Sequence, residues 1–474
     1  MTSSYLPEWA LRSSYAVLGR PVMRARIALL LMVTTPAVYS QAIFAQTTDP
    51  RHLSFKSITL EDAVAFGLEH NLDLHVAQIG LQSAKSEARS IRSETRIQLS
   101  ATTFLSVSSE PGSLLLAGQP SSPTVMQVPQ KLFGDQNITA MAPIYTGGRL
   151  QSAVAAADLR TRAAAEDIRT ARLEAALHIR EAGYRVEVFA AVEEAAAARL
   201  ASTVEMLKTT RALFDAGKGL QSAVLRVEAE MADARRMRAN AQNLRLQAYL
   251  DLKLSMGLAG NSEIELNEPL KYTPVQMDLD RLIHTAMHSR PEVTGATLKL
   301  TASKQLIAST RASAGPQVYG MAMTDGFTSG PTSSRTGYTV GIVMSVPLLD
   351  GGQRRAESEQ ARSNSERANV DLQKVSLQVE NDVRSAWLNL QTASQNVEAT
   401  SQSVAAAQAS YDTTLLRVQN QKALLVEQLD SLAALVQARA NASQSLYDHN
   451  NATAMLMRAV GVEHVDQLIQ GGTR

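Results

Sequence analysis

Few residues in this chain have the types and spacing to do chemistry, and most of those fail on context. His284 and His288 stand i, i+4, the separation at which two imidazoles on one helix face can hold zinc. No glutamate follows in the zincin pattern and no third ligand accompanies them, so they read as surface helix histidines. Gly217-Lys218-Gly219 suggests a phosphate cradle, but that loop needs Ser or Thr after its lysine and a glycine where Ala212 stands. No nucleophile, base and orienting group cluster. The chain therefore reads as a non-enzyme with no metal and no cofactor. Glu427 and Asp430 remain: spaced i, i+3, they share one helix face and could gather cations. The plainer reading is that acids in the first turn of a helix complement its dipole.

The elements that must position these residues come in two copies. Pro143 to Gly257 returns as Pro347 to Gly461 at a constant offset of 204: Pro-Ile-Tyr-Thr-Gly-Gly at 143–148 becomes Pro-Leu-Leu-Asp-Gly-Gly at 347–352, and Ala234-Arg235 becomes Ala438-Arg439. Upstream, 68–74 lines up loosely with 287–293 at an offset of 219. The first copy thus holds about fifteen extra residues, which the Pro/Gly/Ser-rich stretch 109–136 accommodates. The expected organisation is a leader and signal peptide over 1–45, a first repeat over 46–260, a connecting segment over 261–278, a second repeat over 279–461 and a tail over 462–474. Within the leader, Arg24 and Arg26 precede the apolar run Ile27 to Val33, and Ala42 and Ala45 offer cleavage positions, with Met23 the better start.

Composition narrows the class. The chain has 474 residues and a net charge of +1, so no basic surplus points to nucleic acid. Aromatics are only 4%, which suits long Ala-rich packed helices better than large globular cores. Cysteine is absent, consistent with an oxidising envelope compartment.

The helical pattern has a coiled-coil period. Apolar or small residues recur at Val379, Val383, Ala386, Leu390, Ala393, Val397, Val404, Ala407, Tyr411 and Val418, and 204 residues earlier at Ala175, Ile179, Ala182, Val186, Phe189, Ala196, Leu200, Leu207 and Phe214. No proline interrupts Arg149 to Leu213, so that helix would be roughly 95 Å long at about 1.5 Å per residue. Each copy is expected to read helix, strand, loop, strand, very long helix, short turn, long helix. The strands alternate. Ile97, Leu99, Ala101, Thr103, Leu105 and Val107 oppose Gln98, Ser100, Thr102, Ser106 and Ser108, with Phe104 the exception, and Tyr338, Val340, Ile342, Met344 and Val346 oppose Thr339, Gly341, Val343 and Ser345. Ten residues with one apolar and one small polar face suit a transmembrane β-strand over a wet lumen, and equally a half-buried soluble sheet. Rods of this length leave such strands no globular core to cover, which favours the membrane.

Two strands per copy make four per chain, too few to close a barrel, and lipid tolerates no open edge. Two chains would give eight strands and a filled lumen, and three would give twelve and room for a pore. The long stripes on the helices likewise need partners.

Over about 58–461 the chain resembles the TolC-type outer-membrane efflux factors. The resemblance rests on Leu60-Glu-Asp-Ala-Val, the Pro-x-x-x-Gly-Gly segments ending at Gly148 and Gly352, the stretch Ala216 to Gly257, and Leu-Asp-Ser-Leu at 429–432. It implies a mostly α fold with a small β part: a homotrimer whose twelve strands, four per chain, cross outer-membrane lipid and whose helices form a periplasmic α-barrel. It further implies a passive duct joined through a periplasmic adaptor to an inner-membrane pump, proton-driven or ATP-driven. The turns at 214–221 and 418–424 would then be the periplasmic tip, with Gly217, Lys218, Gly219, Gln421 and Lys422 as adaptor contacts and three copies of Glu427 and Asp430 ringing the gate. Pro143, Gly147, Gly148, Pro347, Gly351 and Gly352 would be strand-to-helix hinges, the prolines ending ladder pairing. Some members carry Tyr and Arg latches where this chain has Val418 and Ala423, so any latch must use other groups, with Lys422 and Arg226 as candidates. A protein-secreting duct, and a secreted coiled-coil scaffold without a pore, stand as alternatives.

Overall fold

The computed structural model describes residues 54–108, 112–116, 124–128, 131–266, 269–274, 277–329, 333–420 and 422–465. The expected leader 1–45, Gln421 and residues 466–474 of the tail lie outside that set.

The first copy opens with two helices where one was expected: α1 (Leu60–His70) and α2 (Leu72–Ser93) break at Asn71. Thr59 starts α1 by accepting from Asp62 N–H at 3.2 Å while its own N–H donates to Asp62 Oδ2, a reciprocal cap. Asn71 caps α2 through Leu74 N–H at 3.0 Å. The second copy has the same break 219 residues on, between α5 (Leu279–Ser289) and α6 (Pro291–Ala312), where Pro291 holds Arg290 extended at ψ 120°.

The two long helices are α3 (Arg149–Asp215) and α7 (Gln353–Gln419), each 67 residues, about 100 Å at 1.5 Å per residue. Their antiparallel partners are α4 (Gln221–Ser255) and α8 (Leu425–Val460). The stripe is mostly buried as expected: Val379, Val383, Ala386, Leu390, Ala393 and Val397 on α7, with Val404, Ala407, Tyr411 and Val418 half-buried, and Ala175, Ile179, Ala182, Val186, Ala196 and Leu207 on α3. Phe214, in the last turn of α3, departs from it and is 41% exposed.

Two apolar clusters carry most of the packing, and they use matching positions. One joins Ala63 of α1, Ile179 and Val186 of α3, and Leu252 of α4. The other joins Leu282 of α5, Val383 and Leu390 of α7, and Leu456 of α8. A third cluster, Met206 and Leu207 of α3, Val227 of α4 and Leu429 of α8, ties the two helix pairs together near their turns.

Eight strands are described: β1 (Ser54–Ile58), β2 (Gln98–Ser108), β3 (Gly112–Leu116), β4 (Thr124–Val128), β5 (Lys131–Tyr145), β6 (Glu263–Leu266), β7 (Gln317–Ser329) and β8 (Ser333–Ser345). Four form one antiparallel sheet in the order β2-β5-β7-β8. β1 and β6 form a separate parallel pair that sequence reading missed, placing a strand inside the segment taken as a connector. The stretch 109–136, expected as loop, contains the hairpin β3–β4 and the start of β5.

Candidate functional site

The sheet has two chemically different faces. Directly paired residues of antiparallel strands share a face. Leu99 pairs with Ala140, Ala140 with Ala322 and Ala322 with Val340, and one step along Ala101, Ile138, Thr324 and Tyr338 form the next row. On this face Leu99 is 73% exposed, Val340 74% and Tyr338 83%, with Ile97, Ile138, Ile342 and Met344 also open. The opposite face carries Gln98, Ser100, Thr102, Thr139, Asn137, Asp325 and Thr339. Edge strands β2 and β8 each pair on one side only among the described residues. A contiguous apolar face of this size on a monomer marks an interface with protein or lipid.

The junction between sheet and rods is built on glycine. Gly147 and Gly148 have φ of +59° and +89°, and Gly351 and Gly352 have +61° and +91°, with Gly148 and Gly352 as the N-caps of α3 and α7. A Cβ at Gly148, Gly351 or Gly352 would meet nothing within 4 Å, so backbone conformation rather than space requires glycine there. Pro143 lies inside β5, paired with Tyr319; the register shifts and pairing resumes at Tyr145 with Val318, two residues beyond the proline. Pro347 lies two residues past the end of β8.

At the other end of the rods are the turns. Gly217 (φ +70°) closes α3 in a Schellman geometry, Lys218 N–H donating to Leu213 O at 2.8 Å. Gly219 is pressed against the chain: a Cβ there would lie 3.0 Å from Phe214 N. Lys218 and Lys422 are both exposed. In the second turn Lys422 N–H donates to Arg417 O at 2.8 Å, and Arg417 Nη2 donates back to Lys422 O at 3.4 Å.

Glu427 sits in the first turn of α8. Its carboxylate accepts from Leu424 N–H at 3.2 Å and lies 3.6 Å from Arg417 Nη1. Both the dipole role and a clasp between α7 and α8 are thereby on the same side chain. Asp430 is exposed one turn on. Near the first turn a clasp at other positions of the repeat joins Arg211 of α3 to Glu228 of α4. Neither Arg417 nor Arg211 was picked out from sequence; Lys422 and Arg226, which were, are exposed. The signal that marks Arg417 is its place directly before Val418, the expected latch position.

Two buried groups bear on stability rather than chemistry. Arg290, 3% exposed, donates to the terminal carbonyls Arg458 O and Ala459 O of α8 at 3.1 Å and pairs with Glu292 and Asp382 at 3.0 and 3.3 Å. Its first-copy counterpart Asn71 does the same for α4, donating to Ser255 O at 2.9 Å. Burial, with Arg458 adding to it, pulls the Arg290 guanidinium down while Glu292 and Asp382 oppose the shift; arginine stays charged regardless. His449 on α8 is 2% exposed, has no hydrogen-bond partner on either ring nitrogen among the described residues, and meets Tyr272 edge-on at 4.8 Å. Burial pushes its imidazole below the ordinary value. The rings of His284 and His288 lie 4.5 Å apart, tilted by 33°, on the surface, and no group of three His, Cys, Asp or Glu able to hold a metal occurs among the described residues. No described helix is long and apolar enough to cross a membrane.

The model of the outer membrane efflux protein family matches residues 67–258 and 282–462, most of the chain. The chain belongs to this family. The matched blocks bracket the two sets of elements described above and leave the β6 segment between them. No curated protein matches it significantly. Among solved structures it is similar to the outer membrane protein VceC of Vibrio cholerae, with a TM-score of 0.70 at 18% identity over 85% of this chain and 96% of that one. It is also similar to the CmeC outer membrane channel of Campylobacter jejuni, with a TM-score of 0.73 at 14% identity over 87% and 89% of the two chains. A third likeness is the open state of the MtrE outer membrane channel of Neisseria gonorrhoeae, with a TM-score of 0.67 at 18% identity over 85% and 89%. At such identities these likenesses establish the TolC-type fold.

Proposed function

We propose that this outer membrane efflux protein is the duct of a tripartite efflux system. Three copies close β2, β5, β7 and β8 into a twelve-stranded barrel in the outer membrane, and their helices close into a tunnel reaching through the periplasm. Small molecules pass passively from an inner-membrane transporter and its periplasmic adaptor to the outside. The observation that carries this reading is the four-stranded sheet, whose exposed Leu99, Ile138, Val340 and Tyr338 form one apolar face and whose two edges are unpaired among the described residues. Lipid solvates that face, and neighbouring copies pair the edges, since an unpaired edge in hydrocarbon costs several kcal/mol per group.

The turns are then the periplasmic tip, where Lys218 and Lys422 meet the adaptor and Glu427 and Asp430 line the gate. Three-fold symmetry would bring six carboxylates around the axis, gathering cations in a narrow aqueous throat. Arg417, by holding Glu427, supplies the latch in place of the tyrosine and arginine this chain lacks at Val418 and Ala423. A photo-crosslinker at Lys218 or Lys422 in living cells tests this. Capture of an adaptor with a proton-driven pump supports small-molecule efflux, an adaptor with a protein-exporting ATPase moves the reading to secretion, and efficient labelling with neither contradicts the tip assignment.

A further inference from the structure

We propose that each chain carries a soft-metal site on the polar face of its sheet, formed by the thioethers of Met141, Met321 and Met323, that takes a monovalent soft cation such as Cu(I) or Ag(I). Met141 of β5 and Met321 of β7 are direct cross-strand partners, and Met323 is the next residue of β7 on the same face. Direct partners have Cβ atoms about 5 Å apart and diagonal ones about 7–8 Å, within reach of three unbranched side chains converging on one ion.

Their surroundings favour an ion over mere packing. The three occupy adjoining rows whose other members are Gln98, Gly341, Ser100, Thr139 and Thr339, so small polar residues would serve a wetted wall equally well. Met141 is 40% exposed, and Met321 and Met323 are half-buried, so none of them fills a core. Gly341, beside Met321 on β8, has nothing within 4 Å of where its Cβ would be, which leaves the trio open to approach. Thioether donors select Cu(I) and its soft congeners over zinc or magnesium, and these two rows hold no imidazole or carboxylate to offer a harder ion. The trio depends on strand register alone; its facing a duct rests on the barrel proposed above, where three chains would line the lumen with three such sites at one height.

The test uses the full chain in detergent, titrated with silver nitrate in chloride-free buffer, with hydrogen peroxide oxidation of each methionine read by mass spectrometry. Silver is expected to protect Met141, Met321 and Met323 together at about one ion per chain and to leave Met344, on the apolar face, unprotected. Met321→Leu, and the triple leucine variant, are expected to weaken silver binding on the order of tenfold or more. Equal oxidation of the trio with and without silver, or wild-type affinity in the triple variant, overturns the site. Protection by an apolar aromatic dye and not by silver also overturns it, in favour of a plain apolar contact patch. A heat-modifiable oligomer band, run in parallel, reports on the barrel: protection without that band sustains the site while the duct reading fails.

Discussion

Arg417 and Glu427 show how a single ion pair can matter more for position than for strength. Both side chains are about half exposed, so their pairing contributes only about 0–1 kcal/mol. In the proposed duct, where three copies converge at this tip, a contribution that small can still set how often the end is open. Arg417→Ala is expected to raise the open fraction, read as larger or more frequent conductance in planar bilayers, with unchanged outer-membrane abundance. Unaltered conductance would leave Glu427 as a helix cap alone. The junction glycines act through backbone strain. Gly148→Ala and Gly352→Ala should each destabilise the protein by about 1–2 kcal/mol, measured by urea unfolding, because each forces an L side chain to φ near +90°. His449 sets a pH dependence. Its folded-state pKa lies below the unfolded value of about 6.5, so the unfolded chain binds the extra proton and stability is full above that pH and falls as pH drops below it. His449→Leu should flatten the dependence of the urea midpoint on pH below about 6.5; an unchanged slope would place the titration elsewhere.

At the scale of elements, the two faces of the sheet make opposite demands on neighbouring residues. Val340→Arg is expected to cost about 2–4 kcal/mol and to block outer-membrane assembly, whereas Thr339→Arg, one residue away on the polar face, should be tolerated. Comparable loss in both would argue for a buried soluble sheet. The same alternation made β2 and β8 legible in sequence, and the 204-residue offset made α3 and α7 legible, because both are patterns of many residues. β1 and β6 were not legible: strands of five and four residues show too little alternation, and their partners lie some two hundred residues apart. The break at Asn71 was hidden for a different reason, since asparagine both caps a helix and tolerates its interior, and only its bond to Ser255 O fixes the outcome. Of the candidate site, Glu427 was readable from spacing, while Arg417 was not, because attention to the family's latch positions passes over a cation that folds back from the preceding helix.

For the whole molecule, the proposed duct has each chain, with its two copies of the helical unit, supply one third of a closed structure. Each copy buries one side of its rods against the other through α3 and leaves Leu246, Leu250 and Leu254 of α4 and Leu377 and Leu388 of α7 exposed. In the proposed duct, further copies of the same chain cover those faces and pair the strand edges left open among the described residues. The native chain lacks cysteine, so thiols introduced one each along the edge strands β2 and β8 are the only ones present. Oxidative cross-linking of such β2–β8 pairs in outer membranes, resolved on non-reducing gels, measures closure directly. The account predicts covalent dimers and trimers, with three chains the largest species and yields alternating along the strands with the pleat. Cross-links that stop at single chains, or that continue past three, would contradict a closed twelve-stranded barrel.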